Sequence, residues 1–303
     1  MSLIRHILSA TDQSALSLQA LDRAADLAAA TGASHTVVQA LGLDALGPLR
    51  NLLGESADAV AQTALAQQRD ALAHALADRP RPPGPEPTLR VEPGLASRVV
   101  PALADEEDAD LVVVGARGQS LLRRMLLGST ASHLLRKSRC PVLVVRKPFL
   151  HAYRRVLLPL DFSPGSALVL QLARELAPQA DLVLLHAFDV PFEGVLQYAG
   201  VAEDVIFQYR IEARERALRD LRQLAAAQGL GAGQFTPVVE HGDAVALITG
   251  HQERLGCDLV VMGKHGTHVT EELLLGSVTK RVLTEGEADV LVVVDKRGPH
   301  DAA

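Results

Sequence analysis

The sequence has no tryptophan, six phenylalanines, three tyrosines and only two cysteines among 303 residues. Cys140 and Cys257 fall at non-equivalent places in the two halves of the chain, which favours buried free thiols over a disulfide or a metal cage. No run of about 18 uncharged apolar residues occurs, and MSLIRHILSATD at the start has too short an apolar run for a secretory signal. We therefore expect a cytoplasmic protein with no membrane partner.

The sequence also has no excess of basic over acidic residues. The formal net charge is −6, whereas a protein that binds nucleic acid normally needs a basic face to neutralise phosphates, so we expect no nucleic-acid partner. With 48% hydrophobic and 22% charged residues, the composition is that of a globular protein. Its length suits two domains of about 150 residues each.

The chain contains an internal repeat with an offset of about 148 residues. DLVVVGARG (110–118) matches DLVVMGKHG (258–266), and CPVLVV (140–145) matches ADVLVVV (288–294). ILSATDQS (7–14) likewise matches LLPLDFSP (157–164). We predict a first copy over residues 1–147 and a second over 152–303, with a tail from about residue 296 that is disordered.

Short β-branched runs such as LVVVG and VLVVR alternate with longer amphipathic stretches in each copy. This alternation predicts an α/β fold with two tandem Rossmann-like domains, each an open five-stranded parallel sheet flanked by helices. A helix is expected between Ser14, which can cap it, and Gly32, which can end it in the left-handed conformation. Its counterpart in the second copy is expected to begin near Ser163 and Pro164.

Each copy also carries the motif G-x2-G-x9-G-S after its fourth predicted strand, over residues 115–129 and 263–277. Such glycines let backbone approach a ligand closely, and the Gly-Ser pair can open a helix whose amides attract phosphate. The alternative is that the glycines only make left-handed turns. Asp12 and Asp161 end the first strands, so each acid and its glycines are expected to share one crevice at the carboxyl ends of a parallel sheet. No Walker A motif is present, and no G-x-G-x-x-G follows the first strand.

With these motifs the chain resembles a tandem universal stress protein over nearly its full length. The resemblance implies binding of ATP or another adenine nucleotide, with or without Mg²⁺, in a regulatory or protective stress response. It places Asp12 and Asp161 near the ribose or adenine, and Ala40 and Ala187 against adenine. It also implies that the fifth strands pair to form an internal pseudo-dimer, with a homodimer as a further option. The phosphate-binding residues that it implies are Gly115, Gly118, Gly128 and Ser129 in the first copy, and Gly263, Gly266, Gly276 and Ser277 in the second.

Several alternatives stay open. No catalytic dyad is evident, so we predict no catalytic residue, although slow ATP hydrolysis is a minor alternative. The main rival function is a nucleotide-free dimerisation and interaction scaffold in which one or both loops are vestigial. His265 and His268 could hold a metal, but no third ligand has suitable spacing, and we predict no metal site.

Two sequence differences between the copies each allow two interpretations. Arg123 and Arg124 align with Glu271 and Glu272, which indicates either solvated faces or two phosphate sites of unequal affinity. Every phenylalanine and tyrosine lies at or after Phe149, with a concentration over residues 188–209. That segment either packs in the core or forms an apolar surface for a partner or ligand.

Overall fold

The structure is a computed structural model of the chain. It describes residues 2–42, 56–77, 79, 83–116, 127–190, 195, 198–266 and 275–294. These residues divide into two compact units, one running to Ala152 and including Val294, the other spanning Tyr153–Val293. Each unit holds one copy of the repeat.

The first copy folds into a parallel five-stranded sheet. Its strands are β1 (His6–Thr11), β2 (Ser34–Leu41), β3 (Thr88–Pro93), β4 (Leu111–Gly115) and β5 (Val142–Val145). They lie in the order β3-β2-β1-β4-β5, so the strand order reverses between β1 and β4. The apolar residues of β4 and β5 are buried, as expected for a sheet that is covered on both faces.

Helices connect these strands as crossovers. They are α1 (Ala15–Thr31), α2 (Ser56–Ala77), α3 (Ala96–Glu106) and α4 (Ser129–Lys137). The prediction for α1 is confirmed at both ends: the Ser14 side chain accepts a hydrogen bond from the Ser17 amide, and Gly32 has a φ of 72°. Between these ends the helix buries Leu21, Leu27 and Ala28 against the sheet.

The second copy repeats this architecture. Its strands are β6 (Arg155–Pro159), β7 (Asp181–Phe188), β8 (Phe235–His241), β9 (Leu259–Gly263) and β10 (Asp289–Val293), all parallel, in the order β8-β7-β6-β9-β10. Its helices are α5 (Ser166–Leu176), α6 (Glu203–Ala227), α7 (Ala244–Arg254) and α8 (Ser277–Glu285). The predicted α/β class with two tandem five-stranded parallel sheets is therefore confirmed.

Two predicted boundaries were wrong by a few residues. Helix α5 begins at Ser166 rather than near Ser163, because residues 164 and 165 form a turn in which the Ser166 amide bonds to the Ser163 carbonyl. Strands β1 and β6 end at Thr11 and Pro159, so each acid follows its strand instead of ending it. The predicted pseudo-dimer through the fifth strands concerns how the two units meet, and it stays a prediction.

None of the helices in the described part of the chain is both long enough and apolar enough to cross a membrane.

Candidate functional site

The carboxyl ends of the first and fourth strands meet in each copy, at the point where the strand order reverses. Ala10 in β1 lies beside Val114 in β4, and Leu157 in β6 lies beside Val260 in β9. Open parallel sheets bind ligands in the crevice beyond such a point, because the crossover helices diverge to opposite faces there. The residues that follow these strand ends therefore form the candidate site of each copy.

Both glycine loops are held by the same backbone hydrogen bonds. In the first copy the Ala116 amide donates to the Val145 carbonyl at 2.8 Å, and the Gly128 amide donates to the Ala116 carbonyl at 2.9 Å. In the second copy Lys264 donates to Val293 at 2.9 Å, and Gly276 donates to Lys264 at 3.0 Å. The two ends of each loop are therefore fixed by equivalent backbone hydrogen bonds in both copies.

The Gly-Ser pairs open helices, as predicted. Gly128 caps α4 and Gly276 caps α8, and neither residue offers a side chain to the first amides of its helix. Ser129 and Ser277, the first helical residues, are exposed. Because the first amides of a helix have no acceptor within it, these two helix ends can receive an anion.

The motif glycines that the structure describes do not form left-handed turns, and at four of them an added Cβ would lie within 3.1 Å of another atom. None of the five that the structure describes, at positions 115, 128, 263, 266 and 276, has a positive φ, so the alternative interpretation as left-handed turns was wrong for them. A Cβ on Gly276 would lie 3.1 Å from the Lys264 carbonyl oxygen. A Cβ on Gly115 would lie 2.9 Å from the Leu16 carbonyl oxygen and 3.0 Å from the Ser17 nitrogen. Because Gly115 has no side chain, the end of β4 can pack closely against the first turn of α1.

In the second copy the acid and the loop come together. A Cβ on Gly266 would lie 3.1 Å from Oδ2 of Asp161. The other oxygen, Oδ1, accepts a hydrogen bond from the Ser163 amide at 3.0 Å and one from the Ser166 hydroxyl at 3.2 Å. No donor among the described residues contacts Oδ2, so this oxygen can accept a hydrogen bond from a ligand in the crevice.

Asp12 occupies the equivalent position in the first copy. Its Oδ1 accepts a hydrogen bond from the Ser14 amide at 3.0 Å, as Asp161 does from Ser163. Gly118, the predicted counterpart of Gly266, lies outside the described residues, and so do Arg123, Arg124, Glu271, Glu272, His268 and the tail from residue 296.

The residue after each acid has an unusual backbone. Gln13 has a φ of 60° and Phe162 a φ of 61°, in the left-handed region that side chains other than glycine seldom occupy. Such strain often accompanies a functional site. Sequence reasoning missed both residues, because neither glutamine nor phenylalanine signals this conformation.

The side chains of these two residues make different contacts across the sheet. Gln13 donates a hydrogen bond from Nε2 to Oε1 of Gln39 at 3.0 Å. Phe162 instead lies against the His186 ring, with the two ring centroids 4.3 Å apart, while His186 Nδ1 donates to the Leu160 carbonyl at 2.7 Å. Ala40 and Ala187, predicted to contact adenine, follow Gln39 and His186 directly and are both half-buried.

The aromatic segment of the second copy divides between core and surface. Phe188 is buried, so core packing holds for that residue. Tyr198, Phe207 and Tyr209 are exposed by 95%, 62% and 50%, so core packing was wrong for them. Phe192 lies outside the described residues.

Metal ligands do not gather in the part of the chain that the structure describes. No three side chains of histidine, cysteine, aspartate or glutamate lie close enough together there to hold an ion.

Comparison with known proteins gives consistent matches over both copies. The sequence model of the universal stress protein family matches residues 3–146 and 152–294. A universal stress protein of Mycobacterium tuberculosis is 32% identical over 222 residues, which cover 69% of this chain and 66% of that relative, just under two thirds of its length.

Solved structures resemble the chain in fold. The crystal structure of a universal stress protein from Archaeoglobus fulgidus has a TM-score of 0.66 at 18% identity, covering 96% of this chain and 98% of its own. A universal stress protein solved in complex with cAMP covers 48% of this chain and 99% of its own, with a TM-score of 0.33 at 24% identity.

Proposed function

Because this chain belongs to the universal stress protein family, we propose that its two copies bind ATP or another adenine nucleotide and that the bound state acts in a regulatory or protective stress response. The observation that carries the proposal is the meeting of an acid, a glycine and a helix start in one crevice of the second copy. Gly266 faces Oδ2 of Asp161, and Gly276 and Ser277 begin α8.

Each part of this crevice suits one part of a nucleotide. The uncapped amides at the start of α8, together with the Ser277 hydroxyl, are donors for phosphate oxygens. Oδ2 of Asp161 is an acceptor for a ribose hydroxyl or for the amino group of adenine. Ala187, which follows His186 in β7 and is half-buried, is a small apolar residue that suits a contact with the base. If the nucleotide carries Mg²⁺, a carboxylate such as Asp161 and the phosphates are the oxygen ligands that this ion prefers.

The proposal also extends to the first copy. Its loop has the same backbone hydrogen bonds, its helix α4 has the same glycine cap, and Asp12 keeps the bond to the Ser14 amide. We therefore assign one nucleotide site to each copy, with Gly118 in the role that Gly266 has in the second.

Native mass spectrometry of the full chain with added ATP tests the proposal. We expect adducts of the mass of ATP, and we expect the Gly266→Val variant to lose one of them because its side chain would crowd the acid. Gly250→Ala is a suitable control, since an added Cβ there meets nothing within 4 Å. An unsubstituted chain without any ATP adduct at millimolar nucleotide would contradict the proposal.

A second candidate function is the nucleotide-free interaction scaffold. One observation favours it: Tyr198, Phe207 and Tyr209 expose their rings near the start of α6, where nothing in the nucleotide proposal uses them. If the chain is a nucleotide-free scaffold, we expect it to bind no ATP and to lose partner proteins when Phe207 and Tyr209 are replaced with serine. If the chain binds nucleotide as proposed, the same double variant should bind ATP as well as the unsubstituted chain does.

A further inference from the structure

The residue before the alanine that is proposed to contact adenine differs between the copies. It is Gln39 in the first copy and His186 in the second. Each contacts the residue that follows the acid of its own copy. Gln39 is hydrogen-bonded to Gln13. The His186 ring lies against the Phe162 ring. The two pairs therefore occupy matching places at the carboxyl ends of the first and second strands of each copy, with different hydrogen-bonding groups.

His186 uses one of its two ring nitrogens in a hydrogen bond. Its Nδ1 lies 2.7 Å from the carbonyl oxygen of Leu160. Because a carbonyl can only accept, Nδ1 carries the proton, and in the neutral ring Nε2 is then an acceptor. Within the part of the chain that the structure describes, nothing bonds to Nε2, and the residue is half-buried. The bond to Leu160 and the contact with Phe162 hold the ring, so Nε2 is an acceptor in a fixed position.

This ring lies beside the acid of the proposed nucleotide site. Its two contacts, Leu160 and Phe162, are the residues on either side of Asp161 in the chain. The strands lie in the order β7-β6-β9, so His186 on β7 and Gly266 after β9 flank the acid from opposite sides. A nucleotide likewise has its sugar between its base and its phosphates. With the phosphates at the start of α8, the base comes to the end of β7.

We propose that His186 selects the base in the second copy, by accepting a hydrogen bond at Nε2 from the 6-amino group of adenine. This inference rests on the proposed function. A purine with an oxygen at that position presents an acceptor where adenine presents a donor. Nε2 would then face a second lone pair and stay unpaired, which weakens binding. The second copy should therefore discriminate against hypoxanthine and guanine.

The first copy has no such fixed acceptor. Gln39 is only 7% exposed, and its Oε1 accepts a hydrogen bond from Nε2 of Gln13 at 3.0 Å. A primary amide carries both a donor and an acceptor, so the glutamine pair can meet either a 6-amino group or a 6-oxo group. We expect the first copy to bind adenine and hypoxanthine nucleotides with similar affinity.

Calorimetric titration of the full chain with ATP and with inosine triphosphate (ITP), whose base is hypoxanthine, tests the proposal. The second copy is measured with the first blocked by Gly118→Val, and the first copy with the second blocked by Gly266→Val. We expect the second copy to bind ATP about tenfold more tightly than ITP, as the loss of one hydrogen bond at a half-buried acceptor implies. The two affinities of the first copy should differ by less than about twofold.

Two variants of the second copy separate base recognition from a structural role. His186→Leu removes Nε2 and should abolish the preference for ATP over ITP. It also removes the bond to Leu160, but any resulting shift of the acid weakens both nucleotides alike and leaves their affinity ratio unchanged. Ser277→Ala is the matched control, because it acts at the phosphates and should weaken ATP and ITP alike while the preference stays.

A transfer of the pair gives an independent measurement in the first copy. The double variant Gln13→Phe, Gln39→His places the second copy's residues there and should create a preference for ATP over ITP. Thermal unfolding of each variant reports on folding without nucleotide.

The outcomes distinguish the two proposals. Equal preferences in the two unsubstituted copies, a preference for ATP that survives His186→Leu, or no gain in the double variant would overturn this inference and leave nucleotide binding intact. An unsubstituted chain that binds neither ATP nor ITP would overturn the proposed function and this inference with it.

Discussion

The two copies share the backbone geometry of their glycine loops and differ in the side chains around the acid. Ala116 and Lys264 make equivalent backbone hydrogen bonds although one is small and apolar and the other is a lysine. By contrast, Gln13 bonds to Gln39 where the Phe162 ring contacts the His186 ring. Similarly, the Ser17 hydroxyl bonds to that of Thr11 where the Ser166 hydroxyl bonds to Asp161. The comparison teaches that the repeated spacing preserves a backbone scaffold, on which the polar networks have diverged.

The largest expected effect concerns the first glycine of each loop. We expect Gly115→Ala to destabilise the protein by about 2–3 kcal/mol, because its Cβ would overlap backbone atoms of Leu16 and Ser17 that cannot easily move. Gly263→Ala should cost about 1 kcal/mol, since its Cβ would approach a single atom, the His265 carbonyl oxygen, at 3.1 Å. Chemical denaturation of the full chain measures both.

Gly250→Ala supplies the control for these substitutions. Gly250 lies within α7 with open space around the added Cβ, so alanine should stabilise by about 0.5–1 kcal/mol through helix propensity. Equal losses of unfolding free energy in Gly115→Ala and Gly263→Ala would contradict the prediction that the added Cβ is more crowded at Gly115 than at Gly263.

A smaller effect is expected at the residue after the acid. Phe162→Ala should cost about 1–2 kcal/mol, because it removes a half-buried ring and its contact with His186. Gln13→Ala should cost about 0.5–1.5 kcal/mol, the usual net value of one hydrogen bond. Differential scanning calorimetry measures the stability of both variants. A larger loss of stability in Gln13→Ala than in Phe162→Ala would show that the hydrogen bond to Gln39 contributes more than the ring contact with His186, contrary to this prediction.

Much of the fold could be predicted from the sequence. The internal repeat gave the two copies, and the alternation of β-branched and amphipathic stretches predicted the parallel sheets that the structure has. Helix α1 begins after Ser14 and ends before Gly32 as predicted, because capping depends on local residue types. The placement of Gly128 and Gly276 at helix starts followed from the same local signals.

The parts that could not be predicted depend on contacts distant in sequence or on unusual backbone. Arg23 is buried in α1, donates to the His151 carbonyl at 3.0 Å and lies over the Phe149 ring, although an arginine in a helix is normally read as exposed. The positive φ of Gln13 and Phe162 leaves no sequence signal. Ser17 and Ser166 occupy equivalent positions in the repeat, yet one hydroxyl lies against Thr11 and the other bonds to Asp161, a difference that only the three-dimensional structure shows.

The smallest effect is expected at the cysteines. Each copy has alanine where the other has cysteine: Ala288 matches Cys140, and Ala109 matches Cys257, all four being buried. We therefore expect Cys140→Ala and Cys257→Ala each to cost about 1 kcal/mol or less. A much larger loss in either variant would show that the copies pack differently at these positions.

Cys257 adds a dependence on pH. Burial raises the pKa of its thiol from 9.0 to about 11. The folded state therefore holds the proton more tightly, and the stability from this difference is present below pH 9 and is lost as the pH rises toward 11. The unfolding free energy of the unsubstituted chain should fall relative to that of Cys257→Ala across this range. If the difference in unfolding free energy between the two proteins stayed constant from pH 9 to 11, the raised pKa of the Cys257 thiol would be contradicted.

Calorimetric titration of the unsubstituted chain with ATP tests most directly the proposal that each copy binds one adenine nucleotide. We expect two bound nucleotides for each chain, one of which is lost in Gly266→Val. Two nucleotides still bound by Gly266→Val, or no heat of binding by the unsubstituted chain at millimolar ATP, would contradict the proposal.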